Sequence, residues 1–439
     1  MSSSAPVIPA EPAWPVRTVG SLTVLLRRGT APVYVDESDV MAIGQRCVTD
    51  NDFDGSRSRP QSAKVMSNVV TPESDDVLIN STGTGTIGRS VIFGDEGIKY
   101  IVDGHVTVAR PRQPDLAGRW LSDVLRSPQG QQYLEAKCYA GSTNQIELSS
   151  FALAAMPIAV PAVVEQRRVA EVLSTLDDQI RLVESCVSKL RATFVGLLHQ
   201  LLTQGVGAQL SSQGRAVLEF GETSIRLPRG WTTSPIRQLL GDLDPAMRSG
   251  PFGSALLKQE LVESGVPLLG IDNVHVDRFV ADFRRFVTPA KAVELSRYRV
   301  RPEDVMITIM GTVGRSCLVP KDIGFALSSK HVWTLTFDET RYRPYLASLQ
   351  LNHAPWACAY LRRGEQGGIM NAIRSDTLKT LVLPTPPIDE QIEIEAILRS
   401  FEEKIATEER SLRKLHTLKA GLLADLLSGR VRVPVEVAS

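Results

Sequence analysis

No stretch of this 439-residue chain stays apolar long enough to cross a bilayer. The longest such run, residues 151–164, is broken by Pro157 and Pro161, whereas a spanning helix needs about 20 apolar residues. Cysteine is scarce too. Cys47, Cys138, Cys186, Cys317 and Cys358 are scattered singly, without Cys-x-x-Cys spacing, which argues for reduced thiols and against zinc. Charge of either sign is not in excess, since Lys+Arg and Asp+Glu number 49 each. An autonomous DNA-binding domain is usually far more basic, because phosphate neutralisation supplies most of its affinity. This balance disfavours binding DNA alone but leaves room for sharing a duplex with basic partners. Residues 206–385 carry a formal +5 and residues 1–160 a formal −3. The first 15 residues, MSSSAPVIPAEPAWP, lack the basic start and apolar core of a signal peptide, so the expected location is the cytoplasm.

Catalytic signatures are missing as well. There is no His-Glu-x-x-His, no Gly-x-Ser-x-Gly elbow, and no Asn/Asp-Pro-Pro-aromatic motif of amino-group DNA methyltransferases. Gly83-Thr-Gly-Thr-Ile-Gly88-Arg89-Ser90 comes close to a phosphate-binding P-loop. That loop needs a lysine for the phosphates and a following helix whose N–H groups cradle them. Here Arg89 replaces the lysine, and Val91-Ile-Phe93 reads as a strand. The expectation is therefore a chain without enzymatic activity, a nucleotide hydrolase built on Gly83–Ser90 being the enzymatic alternative.

What the chain does have is a long internal repeat. Residues 161–204 and 386–429 align without a gap, with Glu165/Glu390, Gln166/Gln391, Leu173/Leu398, Ile180/Ile405 and Leu190/Leu415 identical. Upstream, Gly85-Thr-Ile-Gly88-Arg89-Ser90 recurs as Gly311-Thr-Val-Gly314-Arg315-Ser316, and His105-Val106 as His331-Val332. So long a period means two copies of a whole globular domain rather than a solenoid. Each copy ends in a proline-free segment whose apolar residues step by 4 and 3, the narrow seam of a coiled coil. Leu173, Ile180, Leu190 and Leu197 mark the first seam, and Leu398, Ile405, Leu415 and Leu422 the second. The second seam is polar at Glu408 and Lys419, where the first has Val183 and Phe194.

These features predict an α+β protein with four segments. Residues 1–160 and 206–385 are mixed α/β domains, and residues 161–205 and 386–439 hold the long helices, which pair as an antiparallel coiled coil. Strands are expected at 76–79, 90–93, 105–108, 266–271, 284–288, 304–309, 316–319 and 331–337, and helices at 116–125 and 345–361. Gly205, Gly207, Ser211, Ser212 and Gly214 mark a flexible junction. The recurrent glycines suit a tight turn. Thr86, Arg89, Ser90, Thr312, Arg315 and Ser316 on these turns are the candidate DNA contacts, a surface salt bridge being the competing role for Arg89 and Arg315.

The Pro161…Glu165-Gln166 and Pro386…Glu390-Gln391 helices, each closing on a Leu-Leu pair, resemble the conserved-region helices of type I restriction–modification specificity subunits. Trp231, the strand Gly265-Val-Pro-Leu-Leu-Gly270, Asp304-Val-Met-Ile and Gly311–Arg315 are similar to that family's target recognition domain. The first domain matches mainly at Asp76-Val-Leu-Ile, Gly85–Ser90 and Gly141-Ser-Thr143. The resemblance implies that each domain reads half of a bipartite duplex site while the helices space the halves. It also implies two methyltransferase subunits carrying S-adenosylmethionine, and two motor–nuclease subunits using ATP and Mg for restriction, with no cofactor on this chain. A coiled-coil adaptor of a related defence complex, without DNA specificity of its own, is the alternative.

Overall fold

The computed structural model describes residues 14–50, 52–64, 68–94, 97–141, 146–206, 213–220, 223–364 and 373–434. The chain folds as two compact units, residues 1–186 with 408–439, and residues 187–407.

The first unit is organised by an antiparallel sheet of β1 (Thr23–Arg28), β2 (Val77–Asn80), β3 (Ser90–Ile92) and β4 (Val106–Pro111), in the order β1-β4-β2-β3. Every residue of β2 is buried. Successive side chains of a strand point to opposite faces, and here both faces are covered. Val77 and Ile79 join a core with Leu121 and Leu125 of helix α1 (Gly118–Arg126). Leu78, with Val106 and Val108, joins a second core containing Ile43 and Val102. Those two residues belong to a smaller sheet in which Val40–Ile43 runs parallel to Lys99–Val102.

The second unit repeats the plan. β5 (Met247–Ser249), β6 (Val305–Thr308), β7 (Ser316–Leu318) and β8 (Val332–Leu335) form an antiparallel sheet in the order β5-β8-β6-β7. Val305 and Ile307 pack in one core and Met306 in another. Trp231 opens this domain, and Thr232–Pro235 pairs with Val382–Thr385, so the chain enters beside the strand from which it leaves. Val16–Thr18 and Pro157–Ala159 close the first domain in the same way. The expected helix at 345–361 is two helices, α3 (Pro344–His353) and Pro355–Gly364, divided at Ala354-Pro355, because the residue before a proline is driven out of helical geometry.

The long helices run from Val163 to Gln204 (α2) and from Ile388 to Leu427 (α4). At about 1.5 Å per residue each is roughly 60 Å long. Leu173, Ile180 and Leu398 are buried, while Leu190, Leu197, Ile405, Leu415 and Leu422 are half-buried. Toward its C-terminus each helix widens its apolar face. Leu198, Leu201 and Leu202 join the second unit's core, and Leu423 and Leu426 join the first unit's core beside Val169 and Leu173. The glycine- and serine-rich junction lies largely outside the described residues. Just beyond it, Gln213–Phe220 pairs with Thr223–Pro228 in a hairpin that composition alone did not indicate.

Candidate nucleic-acid interface

The recurrent glycine–arginine segments are turns joining β2 to β3 and β6 to β7. Ile79 faces Ser90 across one ladder and Ile307 faces Ser316 across the other. Gly88 N–H donates to Asn80 O and Gly314 N–H to Thr308 O, both at 2.9 Å. Between these matched points the first turn is two residues longer. Gly85, Gly88, Gly311 and Gly314 all have φ between 75° and 85°, a left-handed geometry that strains any residue with a Cβ. A strand, not a helix, follows each turn, which removes the N-terminal amides a nucleotide cradle requires.

Beside each turn lies the corner leading into the last strand. Ser81 N–H donates to His105 O at 2.8 Å, and Ile309 N–H to His331 O at 3.1 Å. A third loop, following β1 or β5, meets the same corner at Gly29 or Gly250. A Cβ at either would lie 2.0 Å from a carbonyl oxygen, Val102 O or Ser328 O, so only glycine fits. Three loops therefore converge at one end of each four-stranded sheet.

Their polar groups are unusually under-bonded. Buried native polar atoms are nearly always paired. Yet Thr30 Oγ1, Gln45 Oε1 and Asn80 Oδ1 in the first unit, and Thr312 Oγ1 and His331 Nδ1 in the second, are buried without a partner among the described residues. Burial, with the Lys330 and Arg285 charges nearby, pushes the His331 imidazole down. It is thus poised as a neutral ring. Its counterpart His105 instead bonds Thr82 Oγ1 through Nδ1 at 2.9 Å. Apolar side chains also stand exposed on the loops after β1 and β5, Val33 and Tyr34 in one and Phe252 and Leu257 in the other.

The candidate contacts fall into separate groups. Arg89 Nε pairs with Asp50 at 2.7 Å on the surface. Half-buried Arg315 has no ion-pair partner among the described residues. Thr86 Oγ1 donates back to Thr82 O and Gly83 O at 3.2 Å, stiffening its turn. Ser90 and Ser316 need correcting. Both are buried, and their hydroxyls meet those of Ser122 on α1 at 3.3 Å and Ser348 on α3 at 3.0 Å. Each serine pins a helix to the sheet and faces away from any ligand at the turn. Gln45, Asn80, Lys330 and Phe252 had no place in the sequence reading, because nothing local marks a loop residue as sharing a corner with a turn far along the chain. Ser142 and Thr143 of the Gly141 motif lie outside the described residues.

Each long helix is fastened to its domain by one glutamine. Gln166 Nε2 donates to Pro161 O and Asp115 O at 2.9 and 3.0 Å, and its Oε1 accepts from Ala117 N–H at 2.9 Å. Gln391 bonds Pro386 O, Arg341 O and Arg343 N–H at 2.8, 3.1 and 2.9 Å. The preceding glutamates diverge. Glu165 accepts from Arg432 at 2.7 Å, and Glu390 from Trp231 Nε1 at 2.8 Å. Among the described residues, no group of three or more His, Cys, Asp or Glu is placed to hold a metal ion, and no helix is long and apolar enough to cross a membrane.

Residues 280–417 match the sequence model of the type I restriction modification DNA specificity domain. Three curated proteins are similar over much of their length. A Methanocaldococcus jannaschii protein assigned provisionally as the MjaX type I restriction enzyme specificity subunit is 22% identical over 79% of this chain and 76% of its own. The EcoBI specificity subunit of Escherichia coli is 20% identical over 68% and 64%, respectively. The MjaVIII specificity subunit of M. jannaschii is 22% identical over 63% and 62%. Among solved structures, a chain from a study of complex assembly and conformational transition of the type I R-M system superposes with a TM-score of 0.59. It is 16% identical, covering 96% of this chain and 100% of that one. The type I restriction–modification S subunit from M. genitalium superposes with a TM-score of 0.56 at 14% identity, covering 96% and 98%. These likenesses support the specificity-subunit reading, and none supports an adaptor lacking DNA specificity.

Proposed function

We propose that this chain, a type I restriction–modification specificity subunit, reads a bipartite duplex site through its two domains and spaces the half-sites with its two long helices. The observation that carries this is the duplicated corner. Two domains of the same topology each gather three loops, an arginine-bearing turn and unpaired polar atoms at one end of a sheet. The half-buried Thr86, Arg89, Thr312 and Arg315 on these turns offer donors and acceptors suited to base edges in a major groove, where each base pair presents its own pattern.

Antiparallel pairing of the helices is supported by the order of their partners. In the first unit Asp177 meets Lys419 and Glu184 meets His416, and Glu165 meets Arg432 just past the end of α4, so numbers rise along α2 as they fall along the C-terminal segment. In the second unit Ile394 and Leu398 share a core with Leu198, Leu201 and Leu202.

In this reading the chain performs no chemistry. Two methyltransferase subunits bring S-adenosylmethionine to adenine, and two motor–nuclease subunits bring ATP and Mg. The near-neutral surface fits a subunit whose partners supply much of the grip on phosphate. The test is co-expression with a type I methyltransferase subunit from the same source, followed by genome-wide mapping of modified adenines. One bipartite motif is expected. Methyl transfer by the purified chain alone would overturn the reading.

A further inference from the structure

The polar seam position Lys419 has a partner that its apolar counterpart Phe194 could not take. Its ammonium donates to Asp177 Oδ1, and the other oxygen of that carboxylate accepts from Arg119 Nη2 at 2.6 Å. A single carboxylate thus joins three elements of the first unit: α2, the C-terminal stretch of α4, and α1 of the recognition domain. Arg119 also holds Asp123 at 3.0 Å, so two cations face two carboxylates. The side chains of Asp177 and Lys419 are only 15% and 20% exposed. Burial would push the Asp177 carboxyl up, but hydrogen bonds from Lys419 and Arg119 outweigh it and hold the group below its ordinary range.

Elsewhere the seam is mostly leucine and isoleucine. Such a seam discriminates poorly between registers, because a slip of one heptad sets apolar residues against apolar residues again. A buried polar contact at one seam position removes that degeneracy. Sliding the helices by seven residues, about 10.5 Å, would set Asp177 against Leu412 or Leu426, leaving Asp177 with Arg119 alone and the Lys419 ammonium, only 20% exposed, without its carboxylate. In the second copy Tyr345, Glu402 and Phe194 occupy the positions of Arg119, Asp177 and Lys419. There burial pushes the Glu402 carboxyl up, and Phe194 packs on the apolar core. Among the described residues this charged knot is built once.

We propose that Asp177, Arg119 and Lys419 form a register lock that fixes how far the paired helices overlap, which makes them positioning residues that set the spacer between half-sites. The inference rests on the ruler reading above.

The experiment uses the specificity subunit complexed with its methyltransferase and reads spacer length from mapped methyladenines. With Asp177→Leu and Lys419→Leu combined, the half-site sequences should persist while the share of modified sites with the wild-type spacer falls to about half or less, the remainder carrying other spacers. Lys419→Met, in which Arg119 still satisfies Asp177, should give a milder mixture and serves if the double variant does not fold. Lys419→Arg should restore a single spacer. One unchanged spacer in the folded variants overturns the lock and leaves the ruler standing. So does loss of methylation by a folded Lys419→Met complex without any shifted spacer, since that is a merely structural effect. A wild-type complex that modifies no bipartite site overturns both.

Discussion

Gln166 and Gln391 occupy the same place in the two halves of the chain, and each amide ties the start of a long helix to its own domain through three backbone groups. Both side chains are fully buried. Replacing either by Ala strands two carbonyls and one N–H away from water. An orphaned buried group costs about 1–3 kcal/mol, so with three stranded each substitution should destabilise its unit by at least roughly 3 kcal/mol. Gln→Glu should be nearly as damaging, because a carboxylate cannot donate to Pro161 O or Pro386 O. Thermal melts of the assembled complex check both.

The two arginine turns are predicted to contribute unequally. Arg89 is already paired with Asp50, whereas Arg315 has no such carboxylate among the described residues. Arg315→Ala should weaken DNA binding by the complex and lower the magnitude of the log K against log salt slope by about 0.9 if one phosphate contact is lost. Arg89→Ala should do less, and Asp50→Asn should tighten binding by freeing Arg89. Equal losses from the two arginine variants, or no change in slope for Arg315→Ala, would assign both to the fold.

Much of the architecture was legible because it repeats or is periodic. The 4–3 spacing located both helices, and the recurrent glycines located both turns. The serines at those turns misled, since Ser90 and Ser316 resemble DNA-contacting residues in composition but point into a helix–sheet joint. Their direction depends on strand register, which a short turn sequence does not reveal. The partner of Lys419 was illegible for another reason. Asp177 lies on the other long helix, 242 residues away in sequence, and only the folded first unit brings the two together. Likewise Gln45 and Asn80 in the first unit, and His331 in the second, come into view only once the loops of each unit's own corner are assembled.

Acid should loosen the helix attachments at a defined point. Asp177 is held below its usual range by Lys419 and Arg119, and Glu395 by Arg343 and Arg399, in each case against the upward push of burial. A carboxylate with a depressed folded-state pKa contributes stability that is present above its unfolded pKa, about 4, and is lost as pH falls through the lower folded value. Melting temperatures of the wild type and of Asp177→Asn or Glu395→Gln should differ most near neutrality and converge below about pH 4. A gap that widens on acidification would contradict the ion-pair assignment.

The final prediction separates reading from spacing. Lengthening the helices should lengthen the spacer and leave the half-sites alone, provided the insertion spares the ends. Leu198, Leu201 and Leu202 are built into a domain core, so the added block belongs in the middle. Duplicating Cys186–Lys189 in α2 and Ala406–Glu409 in α4 adds about 6 Å to each and turns each helix about 40° beyond a full turn. Two extra base pairs add about 7 Å and roughly 70° to a duplex of about 10.5 base pairs per turn. A whole heptad adds about 10.5 Å but leaves the helix about 20° short of two turns, whereas three base pairs rotate the duplex by about 100°. The four-residue insertion is therefore the closer match, and its complex should methylate the same half-sites across a longer gap. The heptad insertion keeps the apolar seam in phase yet should methylate more weakly, because the domains face the wrong side of the duplex. Altered half-sites across an unchanged gap would remove the ruler role from the helices.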